Sequence, residues 1–257
     1  PPDRMLHVAA PSPDGQGTIV FGGVEDFFSY FFPVFAGSPV FDDVWLFDGR
    51  AWTSRGSVPA AMGERWASAA AYDTRRDRLY VFGGATQSFG LRGDLWAYDG
   101  TSWSQVAPAS GSPTPPGRMF HGMVYDEGED RLVLFGGDIL PAYATSNDTW
   151  LFDPANRTWT QVPPSATAPR PRDRPLMAYD AARSEVVLFA GSSSTGRALR
   201  DTWTFDTRRS IWSFAGTGPG VGESAVSYDR SRERVTIMGG GLGGGGGITS
   251  DTHEWPG

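Results

Sequence analysis

The chain has 257 residues, 13% of them aromatic, with 34 Gly, 20 Pro, 10 Trp and a net charge of −7. An acidic chain lacks the basic surface that nonspecific nucleic-acid or anionic-membrane binding requires, so neither partner is expected. It has no cysteine, which excludes disulfides, thiol nucleophiles and Cys-ligated zinc, and no apolar run approaches membrane-spanning length.

From its start the chain repeats itself. Residues 1–3 are too short to form a strand. The first repeat runs from Arg4 through His7 and Pro11-Ser12 to the strand-like TIVF, a Gly22-Gly23 stop, Asp43-x-Trp45 and Trp52. The second runs Arg65, Tyr72-Asp73, RLYVF, Gly83-Gly84, Asp94-x-Trp96 and Trp103. The third runs Arg118, Tyr125-Asp126, RLVLF, Gly136-Gly137, Asp148-x-Trp150 and Trp159. The fourth runs Arg172, Tyr179-Asp180, EVVLF, Ala190-Gly191, Asp201-x-Trp203 and Trp212. The fifth has Val221 in the Arg position, then Tyr228-Asp229, RVTIM, Gly239-Gly240 and Asp251-x-His253, and no second Trp. A period of this length signals a repeat architecture whose units pool one core.

The Gly pair after the second strand and the spaced aromatics resemble the kelch repeat, over essentially all of residues 4–257. The resemblance implies an all-β fold: a five-bladed β-propeller of four-stranded antiparallel blades. The chain reads as a single domain, residues 1–257, with blades at approximately 4–57, 65–108, 118–163, 172–216 and 221–257. Strand A would run from the Arg to the Tyr-Asp pair, strand B would end at Gly-Gly, strand C would carry Asp-x-Trp and strand D the second Trp. With five A–B–C sets and four D strands, either the last blade has three strands or the natural chain is longer.

Long and irregular segments fall in the B–C loops and D–A connections, which would open on one face. Variable loops on a rigid scaffold are where binding concentrates. The first B–C loop carries Phe27, Phe28, Tyr30, Phe31, Phe32, Phe35 and Phe41; it either plugs the scaffold or walls an apolar pocket. The second blade offers Glu64, Trp66, Phe89 and Arg92, the third Phe120, His121, Asp138 and Tyr143. The fourth B–C loop, SSSTGRALR, carries Arg197 and Arg200, and Arg170 lies in the Pro-rich connection before it. The fifth, glycine-rich from Gly239 to Gly247, reads as a flexible connection.

Arg4, Arg65, Arg118 and Arg172 share one register. Two readings stand for them: a ring that binds an anionic ligand through bidentate contacts, or a structural Arg in each blade paired with a neighbouring carboxylate. The resemblance implies the first, because kelch domains that capture acidic peptides line their pocket with arginines at this place. His121 with Tyr143, Asp138 or Glu64 is the candidate acid–base set. Three scattered His give no metal-ligand spacing, and no cofactor motif is present. Without Cys the Tyr–Cys crosslink of the copper-radical oxidases of this architecture is excluded, and the Glu-x3-Asp-x3-His spacing of its iron-dependent specifier proteins is missing. The expected function is a propeller holding a small molecule or peptide, anionic if the arginines are used. The alternative is a metal-independent isomerase, cyclase or lyase acting in the same pocket.

Overall fold

A computed structural model of the chain describes residues 1–25, 39–218, 221–222, 224–242 and 248–255. Among them the regular structure is all β. They fall into two compact units: Pro1–Ala107 with Pro116–Met119, and Pro108–Pro115 with Phe120–Gly257.

The first unit holds two blades, each an antiparallel sheet in chain order. Blade one is β1 (Val8–Pro11), β2 (Thr18–Phe21), β3 (Asp43–Phe47) and β4 (Trp52–Ser57). Blade two is β5 (Ala69–Asp73), β6 (Arg78–Phe82), β7 (Leu95–Tyr98) and β8 (Trp103–Gln105). The short strand β9 (Arg118–Met119) also belongs to this unit.

The second unit holds three blades. Blade three is β10 (Gly122–Asp126), β11 (Arg131–Phe135), β14 (Thr149–Asp153) and β15 (Thr158–Gln161). A small hairpin of β12 (Asp138–Ile139) and β13 (Ala144–Thr145) fills its B–C loop. Blade four is β16 (Leu176–Asp180), β17 (Glu185–Phe189), β18 (Asp201–Asp206) and β19 (Ile211–Thr217). Blade five comprises β20 (Val221–Gly222), β21 (Ala225–Asp229), β22 (Arg234–Leu242) and β23 (Ile248–Trp255).

Blade five is three strands wide. β20 and β21 pair with the same edge of β22 in one register, Val221 opposite Leu242 and Ala225 opposite Met238. β23 takes the other edge, Ile237 opposite His253. Strand A is thus in two pieces, and no strand D lies beside β23 among the described residues. The glycine run is not all loop: Gly239, Gly240 and Gly241 lie in β22, while residues 243–247 lie outside the described residues.

Strand B is an inner strand of each blade, and in blades two, three and four it is covered on both faces. In Leu79–Phe82, Leu132–Phe135 and Val186–Phe189 every residue is buried, which is why these segments read as unbroken apolar runs rather than alternating ones. In the first unit Ile19, Phe21, Leu79, Val81 and Trp96 share one core across the two blades. In the second, Phe135, Met177, Leu188, Phe205 and Trp212 join blades three and four, and Leu176, Val187, Phe189, Val235 and Ile237 join blades four and five. The strand D Trp is the connecting side chain. Trp103 lies 5.2 Å from Phe21 of the preceding blade, and Trp212 lies 5.1 Å from Phe135. Each also tilts against its own strand C aromatic, Tyr98 and Phe205, at 4.8 Å.

The Tyr-Asp signature works at the A–B turn. Asp73 Oδ1 accepts from the N–H groups of Arg75 and Arg76 at 2.9 and 3.0 Å, and Asp126, Asp180 and Asp229 do the same in their turns. The carboxylate stands in for a backbone acceptor, as Asp does in turns. The Tyr hydroxyl next to it reaches the preceding blade: Tyr179 accepts from Gly128 N–H at 3.1 Å and Tyr228 from Ala182 N–H at 3.0 Å.

Strand A begins later than expected. The residue two beyond each Arg has a left-handed backbone: Leu6 (φ 56°), Ala67 (53°), Phe120 (56°) and Arg174 (48°). None is glycine, so each carries local strain that the surrounding structure must hold. The Arg segment instead forms isolated bridges beyond the Gly pair, Met5 with Val24, Trp66 with Ala85 and Asp173 with Ser192. The Gly pair permits this close approach. A Cβ on Gly84 would sit 2.2 Å from Ser68 Oγ and 2.9 Å from Trp66 O. Ala190 takes the same conformation at φ 54° despite its side chain.

Candidate functional site

The arginines of the shared register are built into the blades. Arg4 donates to both oxygens of Asp43 at 2.6 and 2.8 Å and to Gly22 O at 3.1 Å. Arg65 reaches Asp94 at 3.1 and 3.2 Å, Gly83 O at 3.1 Å, and Met62 O. Arg172 reaches Asp201 at 2.7 Å through both nitrogens and Ala190 O at 2.7 Å. Arg118 is fully buried, with Nε donating to Pro116 O at 3.2 Å. The acceptor is in each of the first three cases the Asp of Asp-x-Trp, which also takes the indole N–H of Trp45, Trp96 or Trp203 at 2.7, 2.6 and 2.8 Å.

Burial pushes these carboxyls up, but the hydrogen bonds from the Arg and the indole outweigh it and hold Asp43, Asp94 and Asp201 below the ordinary carboxylate range. A fork-to-fork pair with both partners saturated is a clamp between strand A and strand C. This geometry supports the structural reading of Arg4, Arg65 and Arg172: their side chains are 4%, 0% and 0% exposed and their terminal nitrogens are already bonded.

Phe27, Phe28, Tyr30, Phe31, Phe32 and Phe35 lie outside the described residues. Phe41 carries the Arg4 guanidinium 4.3 Å above its ring. Trp66 is buried, donates Nε1–H to Thr86 O at 3.2 Å and meets Phe89 edge-on at 5.7 Å. Trp66 and Phe89 thus pack against each other. Arg92 and Glu64 are half-buried; Arg92 O accepts from Arg118 N–H at 3.0 Å, and Glu64 Oε1 lies 3.5 Å from Gln87 N.

Tyr143 is exposed and His121 is buried. Asp138 is buried with Oδ1 lacking a hydrogen bond. Burial, and then the neighbouring Asp173, push Asp138 up to about 6 against the pull of Arg174. The charged groups that act on it are Asp173 and Arg174. Arg174 is itself engaged, with Asp173 at 3.0 Å and over the Phe120 ring at 3.9 Å. Among the described residues no three His, Asp or Glu side chains gather to hold a metal ion.

The raised value sets a pH dependence. A carboxyl whose folded pKa lies above its unfolded one costs stability once ionised, and the cost vanishes as pH falls through the folded value. Asp138→Asn is expected to stabilise the fold by about 1 kcal/mol at pH 7, after allowance for solvent screening, and to change nothing at pH 4. Urea unfolding of both chains at the two pH values checks this.

An open feature of the second unit lies in blade four, where the B–C loop and the D–A connection emerge. It is a depression of about 980 Å³ lined by Arg170, Arg197, Arg200, Trp203 and Phe214, with loop residues Ser193, Ser194 and Thr195. Trp203 and Phe214 meet edge-on at 5.4 Å, and Phe214 is 61% exposed. The three arginines are exposed, and among the described residues no ion pair or hydrogen bond engages their guanidinium groups. The one carboxylate in the lining, Asp201, is held by Arg172 and Trp203. Reading by register missed this place, because it sought chemistry at positions the repeats share. The usable signal was the reverse: Arg170, Arg197 and Arg200 have no counterpart in every blade.

Residues 15–247 match the family model described as the KLHDC2/KLHL20/DRC7 Kelch-repeats domain. The chain is 28% identical over 209 residues to the flagellar outer arm dynein alpha chain of Chlamydomonas reinhardtii, covering 71% of this chain and 4% of that one. It is 31% identical over 152 residues to dynein regulatory complex subunit 7 of the same organism, covering 58% and 12%. It is 29% identical over 125 residues to human Kelch domain-containing protein 3, covering 45% and 31%. The chain therefore spans less than a third of the length of each of these relatives. With the Gly pairs, the Asp-x-Trp strands and their Arg clamps recurring through the matched region, the chain belongs to the kelch-repeat family.

Proposed function

We propose that this chain is a protein-binding module that holds a polypeptide partner at the ends of its blades bearing the B–C loops and D–A connections. A kelch-repeat domain is generally a binding scaffold. The observation that carries the finer reading is the division of labour within each blade. The A–B and C–D turns are short and closed by Asp side chains. The other end carries the irregular loops, exposed Leu140 and Tyr143, and the arginine-lined depression. Rigid sheets with variable loops at one end are a common basis for recognition. Two relatives named for dynein and its regulatory complex support a protein partner over a small molecule. The continuous match across residues 15–247 supports reading residues 1–257 as one domain.

The test places a photo-crosslinking amino acid at Leu140, Tyr143 or Ala198 and, as controls, at Arg75, Arg208 or Ser231 in the turns. In cells that make the protein, polypeptide adducts are expected from the loop end at several times the yield from the turns. Equal yields, or no polypeptide adduct, would overturn the reading.

A further inference from the structure

We infer that the depression of blade four is a binding site for an acidic, extended peptide segment carrying an apolar residue. The inference rests on the protein-binding reading above and names the chemistry of the partner. Three observations carry it independently of the shared repeat register.

The first is charge. The chain is acidic overall, at −7, and all 22 of its cationic side chains are arginine. Most arginines described above are paired. Arg170, Arg197 and Arg200 are not, although they line one depression with a single carboxylate, which is already bound twice. Arginine presents a planar fork that matches a carboxylate, so the site complements a run of Asp or Glu.

The second is preorganisation. The loop that carries Arg197 and Arg200 is pinned by its own backbone. Ser193 N–H donates to Arg197 O at 2.9 Å, Gly196 N–H to Ser193 O at 2.8 Å, and Leu199 N–H to Gly191 O at 2.8 Å. Arg197 N–H donates to Ser193 Oγ at 3.2 Å, and Ser192 bridges Ala198. The anchoring backbone is already ordered, which lowers the entropy cost of capture.

The third favours a peptide over a small anion. Trp203 and exposed Phe214 form an apolar shelf beside the arginines. Phe214 lies on β19, the last strand of its sheet, whose outer edge carries no strand among the described residues. An extended segment can pair its backbone with that edge and set alternate side chains on the shelf and toward the arginines.

The test uses the folded chain and a fluorescein-labelled heptapeptide, Glu-Glu-Leu-Glu-Glu-Leu-Glu, with its glutamine counterpart and free citrate as competitors. Anisotropy is expected to show saturable binding of the glutamate peptide that weakens with added salt, as contacts between exposed charges do. Arg197→Ala with Arg200→Ala is expected to raise Kd at least about tenfold, as the loss of charge-assisted bonds predicts. Phe214→Ser is expected to raise it several-fold, and Arg208→Ala, in the C–D turn of the same blade, to leave it unchanged. Displacement by citrate as effective as by peptide, equal binding of the glutamine peptide, an unaltered Kd in the double variant, or no binding at millimolar peptide would each overturn the inference. None of these touches the crosslinking result. A chain that crosslinks a partner but ignores the acidic peptide keeps the wider reading and loses this one.

Discussion

Asp94→Ala is expected to destabilise the fold by about 3–5 kcal/mol, because it leaves the Arg65 charge buried without its partner. Arg65 is 0% exposed at its side chain and spends both terminal nitrogens on Asp94. Its remaining acceptors, the carbonyls of Gly83 and Met62, carry only partial charge. The loss also frees the Trp96 indole, which donates to the same carboxylate. In a chain of this size such a change lowers Tm by roughly 10 °C. Replacing the pair together, Arg65→Met with Asp94→Leu, is expected to recover most of the loss, since a well-packed apolar pair often matches a buried ion pair. The pH dependence has a definite sign. Asp94 is held below its ordinary value of 3.8, so its contribution is present above about pH 4 and is lost as pH falls through the folded value. The gap between parent and Asp94→Ala therefore narrows in acid. Urea unfolding at pH 7 and pH 3 measures both effects; a gap that is constant with pH would show that the carboxylate charge is not the stabilising element.

Phe135→Ala is expected to cost a similar 3–5 kcal/mol by a different route, the opening of a cavity in a packed core. Phe135 is fully buried and packs edge-on against Trp212 of the next blade, beside Met177, Leu188 and Phe205. The loss falls on the layer that joins blades three and four rather than within one sheet. Phe135→Leu keeps most of the volume and is expected to cost under about 1.5 kcal/mol. Trp212→Phe keeps one aromatic ring but loses part of the indole volume and the hydrogen bond to Thr149 Oγ1 at 2.9 Å, and is expected to cost more than the about 1 kcal/mol of the bond alone. If all three variants unfold at the same urea concentration, packing across this layer does not hold the second unit together.

Much of the architecture was legible along the chain. The strand B runs, the strand C Asp-x-Trp and the second Trp each stand where the sheets place them, because blade neighbours impose the same environment at each repeat. The start of strand A was not legible. Leu6, Ala67, Phe120 and Arg174 adopt positive φ without being glycine, and no residue type announces that. The roles of Arg4, Arg65 and Arg172 were open between a ligand and a carboxylate, since an arginine's partner lies 29 or 39 positions away.

The amino-acid sequence by itself determined the repeat, the sheet order within a blade and the family, because each follows from periodic burial that local residue choice must satisfy. Only the tertiary structure decided which arginines are free to bind. Arg65 and Arg200 are chemically identical; what separates them is that strand C brings Asp94 to the one, while the depression of blade four leaves the other facing solvent. A side chain's charge is written in its residue type, but whether that charge is already neutralised depends on neighbours that only the folded chain supplies.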